Sequence, residues 1–423
     1  YQFTHCGILA SVSLPIMRRT SFALLAIVVI SAFLRFFNLA TPNEVVFDEV
    51  YYVNGAQDYL QHGVELSDGK PEFVVHPPVG KWAIAAGIKL FGDDSFGWRF
   101  SSALVGILSI ALIFLVTRKL FNSEWLAVLA STLMALDGLH LVMSRTALLD
   151  TFLMFFLLLG FYLFISEKHW WAALSFGLAL GTKWNALYLI AALIIFFIWQ
   201  SRKIPWSYLT LTPAIYLLSW SGWFLSDNGW DRHVKGNTFA SWIYYHKEML
   251  NFHTGLVTKH SYQANPWNWL FMGRPTSFFY ATPKSCGSGN CSQEILALGT
   301  PFLWWTFIAT LAVTIGYFIY QRERIAGLIL ITVFANYLPW FLFQKRTTFS
   351  FYTIAFEPFL ILSVIYVAAK ALENDALRKR RTQLISLGTA AIAACFLYFL
   401  PLYLGSVINY SEWYARMWFP NWI

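Results

Sequence analysis

Phe100-Ser101-Ser102-Ala103-Leu104-Val105-Gly106-Ile107-Leu108-Ser109-Ile110-Ala111-Leu112-Ile113-Phe114-Leu115-Val116-Thr117 runs eighteen residues without a charge and is followed at once by Arg118 and Lys119. At about 1.5 Å per residue, a helix of this length approaches the roughly 30 Å of a bilayer's hydrocarbon core. A basic pair directly after it is the mark of a span that ends on the cytoplasmic side. Outward from this stretch, further apolar segments fall near 21–39, 125–142, 147–165, 170–182, 185–199, 206–224, 302–320, 325–343, 353–371 and 384–404. Together they predict about eleven transmembrane helices and an all-α polytopic membrane protein. Composition agrees: of 423 residues 57% are hydrophobic and 12% charged, about half the charged share of a soluble domain. A soluble enzyme, a disordered tail and a disulfide-dense module are excluded. So is an outer-membrane barrel, whose strands would alternate in short segments.

The net charge of +8 suggests nucleic acid until the basic residues are placed. Arg18 and Arg19 precede the first span and set the N-terminus in the cytoplasm. Alternating from there, the cytoplasmic loops hold Arg118, Lys119, Lys168, Arg202, Lys203, Arg322, Arg324, Lys370, Arg378, Lys379, Arg380 and Arg381, bringing the total to 14 of 30 basic residues. The excess is a topology signal, and no nucleic-acid partner is expected. The first span is too long for a removable signal peptide and lacks a small-residue cleavage site. The chain reads as one membrane domain, 1–423. Two long outer segments, 40–98 and 225–300, and an outer C-terminal tail, 405–423, stand apart from the spans. Long loops in a compact membrane protein are where function concentrates.

Cys286-Gly287-Ser288-Gly289-Asn290-Cys291 lies in the second outer segment. Turn-forming residues between two cysteines in an oxidising space favour a disulfide-closed loop. A metal site is the alternative, although two thiols without nearby histidines make half a site. Cys6 and Cys395 read as inert packing residues.

The first outer segment opens with Phe47-Asp48-Glu49-Val50-Tyr51-Tyr52. An acidic pair at a helix start is favoured by the dipole alone, but the flanking aromatics suggest a helix in the membrane interface. Neighbours on a helix diverge by about 100°, so Asp48 and Glu49 cannot both face one substrate atom. One can serve as a base while the other is held by structural partners. Next comes His76-Pro77-Pro78-Val79-Gly80-Lys81, where the prolines fix a turn and His76 projects from a rigid corner or simply occupies the turn. Cations at the outer side or within the bundle are Arg35, Arg99, Arg145, Lys183, Lys345 and Arg346. Ionisable groups there are costly and usually mark a site; snorkelling to headgroups, and an Arg145–Asp150 structural pair, are the plainer readings. Several cations on the face of an acidic pair argue for an anion, most simply a phosphate. Asp93-Asp94 fits a helix cap better than a metal pair.

Taken together, these segments resemble the protein O-mannosyltransferase family of the GT-C superfamily. The matching stretches are Val46–Tyr52, His76–Lys81, Trp98-Arg99-Phe100-Ser101-Ser102-Ala103, Ser144-Arg145-Thr146-Ala147-Leu148-Leu149-Asp150, Gly181-Thr182-Lys183-Trp184, and Arg346 followed by Phe349-Ser350-Phe351-Tyr352, in order over residues about 20–405. The resemblance implies transfer of mannose from a polyprenyl-phosphate to serine or threonine hydroxyls of exported proteins at the outer face. It implies a catalytic Asp48. Eukaryotic members insert a MIR domain in the second large loop; with only about 75 residues there, this chain looks like a bacterial, plasma-membrane member.

The chemistry fits those residues. A sugar on a lipid monophosphate needs a base for the acceptor hydroxyl and positive charge for the departing phosphate. The expected catalytic residues are Asp48 and Glu49, with Asp48 as general base of a single inverting displacement. Arg99, Arg145, Lys183 and Arg346 are expected on the donor phosphate, and His76, Lys81, Tyr52 and Tyr352 against substrate. The expected partners are polyprenyl-phosphate-mannose, serine- or threonine-containing acceptor proteins and membrane lipids. No cofactor is required; a divalent metal is compatible but no motif calls for one. The rivals are a GT-C transferase acting on a lipid or glycan, and a transporter, which would show inverted repeats and midplane charges instead.

Overall fold

The computed structural model describes residues 14–284, 286 and 289–423, with side chains from Arg19 onward. Cys6 and the Arg18 side chain lie outside the described residues. The chain begins with α1 (Leu14–Phe36), then α2 (Glu49–Gln61), a hairpin of β1 (Leu66–Ser67) and β2 (Lys70–Pro71), and α3 (Val79–Phe91). The membrane bundle continues with α4 (Ser95–Phe121), α5 (Glu124–Ala135), α6 (Gly138–Met143), α7 (Leu149–Ile165), α8 (His169–Leu180), α9 (Ala186–Ser201) and α10 (Trp206–Ser219). After α10 come α11 (Ser221–Leu225), α12 (Thr238–Gly255), α13 (Pro266–Trp269), β3 (Thr276–Ala281) and β4 (Cys291–Ala297). Then come α14 (Pro301–Gln321), α15 (Arg324–Tyr337), α16 (Glu357–Leu372), α17 (Arg378–Leu404), β5 (Val407–Asn409) and α18 (Tyr410–Ala415).

Every apolar segment expected from the sequence falls on helix. By length and apolarity, five of these helical stretches could each cross a membrane among the described residues: Arg19–Phe36, Ser95–Phe121, Pro301–Gln321, Arg324–Phe343 and Asp375–Leu404. Others are shorter because the backbone breaks inside the apolar run. The 125–142 segment breaks at Asp137, which caps α6 and accepts bonds from Thr300 N (2.8 Å) and Trp304 Nε1 (2.9 Å) at the start of α14. The 325–343 segment, though long enough to cross, changes from α-helix to a 3-10 turn at Leu338–Phe343, where Pro339 cannot donate to the helix ladder. Hydropathy reads side chains and is blind to such breaks.

Helix ends follow ordinary capping chemistry. Asp94 caps α4 by accepting from Phe96 N and Gly97 N, both at 2.9 Å, while Asp93 accepts from Gln57 Nε2 and Trp98 Nε1. The helices α4, α9 and α14 close on left-handed residues Asn122, Arg202 and Arg322 beside the basic loops. The bundle centres on α7, which is apolar nearly all round and is packed by α3, α4, α8 and the 3-10 turn Ser350–Ala355.

The small sheets are an addition to the all-α expectation. β4 pairs antiparallel with β3 and with β5, so the C-terminal tail is hydrogen-bonded to the second outer segment. Arg274 adds bonds to the carbonyls of Asn421 and Ile423. Cys286 and Cys291 are joined in a disulfide across the β3–β4 connection, with Cα atoms 5.8 Å apart. Cys395 is a buried free thiol.

Candidate active site

Asp48 stands at the corner where the chain turns into α2. Its backbone carbonyl accepts from Tyr51 N (3.1 Å) and Tyr52 N (3.4 Å), starting the helix, yet among the described residues no hydrogen bond reaches its carboxylate. Glu49 is its opposite. Fully buried, it accepts four bonds: Val46 N (2.9 Å) and Arg99 Nη2 (2.8 Å) at Oε2, Arg99 Nε (2.8 Å) and Ala147 N (2.8 Å) at Oε1. A carboxylate so saturated has no geometry left for a proton from substrate. Glu49, expected among the catalytic residues, is here a clip between the first outer segment, α4 and the Ser144–Asp150 motif.

Two expected phosphate cations are placed elsewhere for the same reason. Arg99 spends its remaining donors on the carbonyls of Leu39 (3.2 Å), Pro42 (2.9 Å) and Glu44 (2.8 Å). Arg145 donates to the carbonyls of Leu34, Arg35 and Phe37 (2.8–2.9 Å) and Asn38 (3.3 Å). These are the orphan carbonyls at the C-terminal end of α1, where a cation is electrostatically favoured. Arg145 therefore does not pair with Asp150. Lys81, expected against substrate, is buried in an ion pair with Glu65. Arg35 lies inside the bundle, 2.6 Å from His140 Nδ1.

Lys183 and Arg346 remain. Lys183 reaches both oxygens of Asp150 (3.0 and 2.8 Å) and sits 5.0 Å from the Tyr352 ring centre. The turn that carries it is pinned to the His-Pro-Pro corner: Val79 N donates to Gly181 O at 2.9 Å. A side chain at Gly80 would press on the side chains of Leu149 and Thr182, so glycine gives this contact its close fit. Arg346 donates through Nε to His253 O (2.9 Å) and faces His253 Nδ1 through Nη2 (3.4 Å). His253 in turn donates from Nε2 to Val75 O (2.7 Å), which leaves Nδ1 as acceptor. The His76 ring lies 5.3 Å from His253 and 6.0 Å from Tyr52.

Asp48, Tyr52, His76, Lys183, Tyr352 and Arg346 thus converge, with Asp150 and His253 behind the cations. Burial raises the Asp48 carboxyl to about 6, against the pull of Lys183 and with Asp150 adding to the rise. Burial, then Lys183, pushes His76 well below the usual imidazole range, and burial takes His253 down to about 4. Both imidazoles are neutral at pH 7. Among the described residues no three His, Cys, Asp or Glu side chains gather as metal ligands. A groove of about 690 Å³, lined by residues including Tyr59, His62, Trp82 and Leu225 at the far end of α2, touches none of these groups.

His253 was not marked by any motif; it sits on a helix of the second outer segment and reaches the site only through the fold. Asp150 stood in a motif, but its partner was legible only in three dimensions.

Residues 25–230 match the family model described as dolichyl-phosphate-mannose-protein mannosyltransferase. Residues 238–324 match the C-terminal four-transmembrane region of protein O-mannosyltransferase. The polyprenol-phosphate-mannose–protein mannosyltransferase of Mycobacterium tuberculosis is 29% identical, with 92% of this chain and 89% of that protein covered. The Corynebacterium glutamicum protein of the same name is also 29% identical, over 89% and 88%. In structure, the chain is similar to the Saccharomyces cerevisiae protein O-mannosyltransferase Pmt1–Pmt2 complex bound to the sugar donor, with a TM-score of 0.79 at 15% identity, covering 98% of this chain and 93% of that one. The fold is of the GT-C type and spans the membrane, and the two family models together take in residues 25–230 and 238–324: the chain belongs to the protein O-mannosyltransferase family.

Proposed function

We propose that this protein transfers mannose from polyprenyl-phosphate-mannose to serine or threonine hydroxyls of exported proteins, with Asp48 as general base. The observation that carries the mechanism is the contrast within one acidic pair. Glu49 has four hydrogen bonds, while the Asp48 carboxylate has none among the described residues and lies beside Lys183 and Tyr352. An unoccupied carboxylate in a partly buried site is free to accept a proton from substrate.

In this reading the acceptor oxygen attacks the anomeric carbon as Asp48 takes its proton. The bond from that carbon to the phosphate oxygen breaks, and the lipid phosphate leaves with the electron pair. One displacement with one base inverts the anomeric centre. Lys183 and Arg346 stabilise the charge that develops on the leaving phosphate. Asp150 and His253 hold those cations from behind, so they need little rearrangement as charge builds. Neutral His76 lines the same site, its ring 6.0 Å from that of Tyr52.

The same reading puts the site on the outer face of a bacterial plasma membrane, with about eleven spans, the N-terminus in the cytoplasm and the C-terminus outside. It is supported by the basic residues of alternate loops and by the pairing of β5 with β4, which ties the tail to the second outer segment. The test is transfer in vitro by the purified full chain, from polyprenyl-phosphate-mannose to a serine/threonine-rich peptide, read by mass spectrometry. The glucose and arabinose donors serve as comparison. A peptide that gains no hexose from the mannosyl donor, under conditions where the donor binds, refutes the proposal.

A further inference from the structure

Phe47, the residue before Asp48, has φ of 49°, a left-handed backbone uncommon for any side-chain-bearing residue and an outlier for a bulky one. Such a conformation persists only where the surroundings impose it. Here the surroundings are rings. Phe278 of β3 stacks on Phe47 with centroids 4.9 Å apart and planes at 19°. Phe349, Phe351 and His260 meet it edge-on at 5.5, 5.6 and 6.1 Å. Phe349 and Phe351 are themselves stacked at 5.5 Å. The box is built from the second outer segment and the segment after Arg346, both remote in sequence.

We propose that Phe47 is a positioning residue for the transfer step: its boxed ring holds the left-handed corner that aims the Asp48 carboxylate into the site. The proposal rests on Asp48 being the base. Glu49 anchors the corner from one side, through Arg99 and Ala147. Among the described residues nothing hydrogen-bonds the Asp48 side chain itself, so its direction is set by the backbone on which it stands. If Phe47 relaxed to a right-handed φ, the Val46–Phe47 peptide would turn and the first turn of α2 would shift, carrying Asp48 with it. The box would also couple the β3–β4 hairpin, which touches no substrate in this reading, to the reacting atoms.

The experiment uses the full chain purified in detergent, polyprenyl-phosphate-mannose as donor and one serine/threonine-rich peptide. Phe47→Gly removes the ring and leaves the corner free to move, since glycine populates both signs of φ about equally. Its kcat is expected to fall about 100-fold, the effect of a displacement of about 1 Å at a reacting group. Its donor KM stays within about twofold of the parent, since the phosphate cations are untouched. Phe47→Tyr keeps the ring and recovers most of the rate. Phe278→Leu, which leaves Phe47 in place and removes only the stacked face, gives an intermediate loss and covers the case in which Phe47→Gly does not fold. A Phe47→Gly enzyme at the parent kcat, a Phe47→Tyr enzyme as slow as the glycine variant, or a Phe278→Leu enzyme at the parent rate overturns the proposal. Asp48→Asn in the same assay separates the two ideas: if it is inactive while Phe47→Gly is fully active, only the positioning role falls. If Asp48→Asn retains the parent rate, the base assignment falls first.

Discussion

Replacing Asp48 by asparagine should move activity and stability in opposite directions. The carboxyl is raised from 3.8 to about 6 by burial, so the fold favours its neutral form. The sign follows from linkage: with the folded value above the unfolded one, the neutral group's stabilising contribution is complete below pH 3.8 and is lost as the pH rises through about 6. Above that, the native state carries an ionised carboxylate that it holds less well than water does. A rise of this size corresponds to about 3 kcal/mol at neutral pH, an upper figure because the group is only partly buried. Asparagine has the same shape without the charge and removes that cost. It also cannot accept a proton, and losing a positioned base costs about 100- to 10,000-fold in rate. The assay is paired: turnover from polyprenyl-phosphate-mannose, and thermal unfolding of the same detergent-purified samples at pH 7.5 and at the lowest pH the parent tolerates. Asp48→Asn should be nearly inactive and melt higher than the parent at pH 7.5, with the gap narrowing as pH falls through about 6. Parent activity should decline over that same interval. An inactive variant that melts lower than the parent at pH 7.5 would refute the electrostatic account; an active one would refute the base.

Glu49→Gln should behave in the contrary way, because breaking a buried pair strands Arg99: a stability loss of about 3–5 kcal/mol, seen as poor yield or a lowered melting temperature rather than as a clean fall in kcat. Arg346→Ala should raise the KM for the lipid-phosphate donor far more than Lys379→Ala, measured at equal protein level; equal donor KM values for the two would remove Arg346 from the phosphate site. Cysteines introduced at exposed positions 68 and 379, with Cys6 and Cys395 replaced by serine, should react with an impermeant maleimide from opposite sides of the membrane, and labelling of both from the same side would invalidate the topology.

Much of this protein is legible without coordinates. The apolar runs and their basic punctuation predicted a polytopic helical protein, because a bilayer selects on the hydrophobicity of each segment nearly independently of its neighbours. The motif segments that surround the site were legible too, including Asp48, Lys183 and Arg346. Their sorting was not. Arg99 and Lys183 look alike in sequence, each a cation in a short motif beside an apolar run. Arg99 proves to be saturated by Glu49 and the carbonyls of Leu39, Pro42 and Glu44, and Arg145 by the end of α1. A guanidinium has five donors and every buried one needs a partner. Which carbonyls lie within 3 Å of it depends on how segments fifty to a hundred residues away return to it. His253 and the rings around Phe47 belong to the same class: their chemistry is ordinary in sequence, and only packing gives them a target. Hydropathy is local and additive, so the sequence by itself determined that the chain is a polytopic helical membrane protein. Hydrogen-bond saturation is a property of assembled neighbours, so only the tertiary structure decided which charges are spent on the fold and which converge beside Asp48.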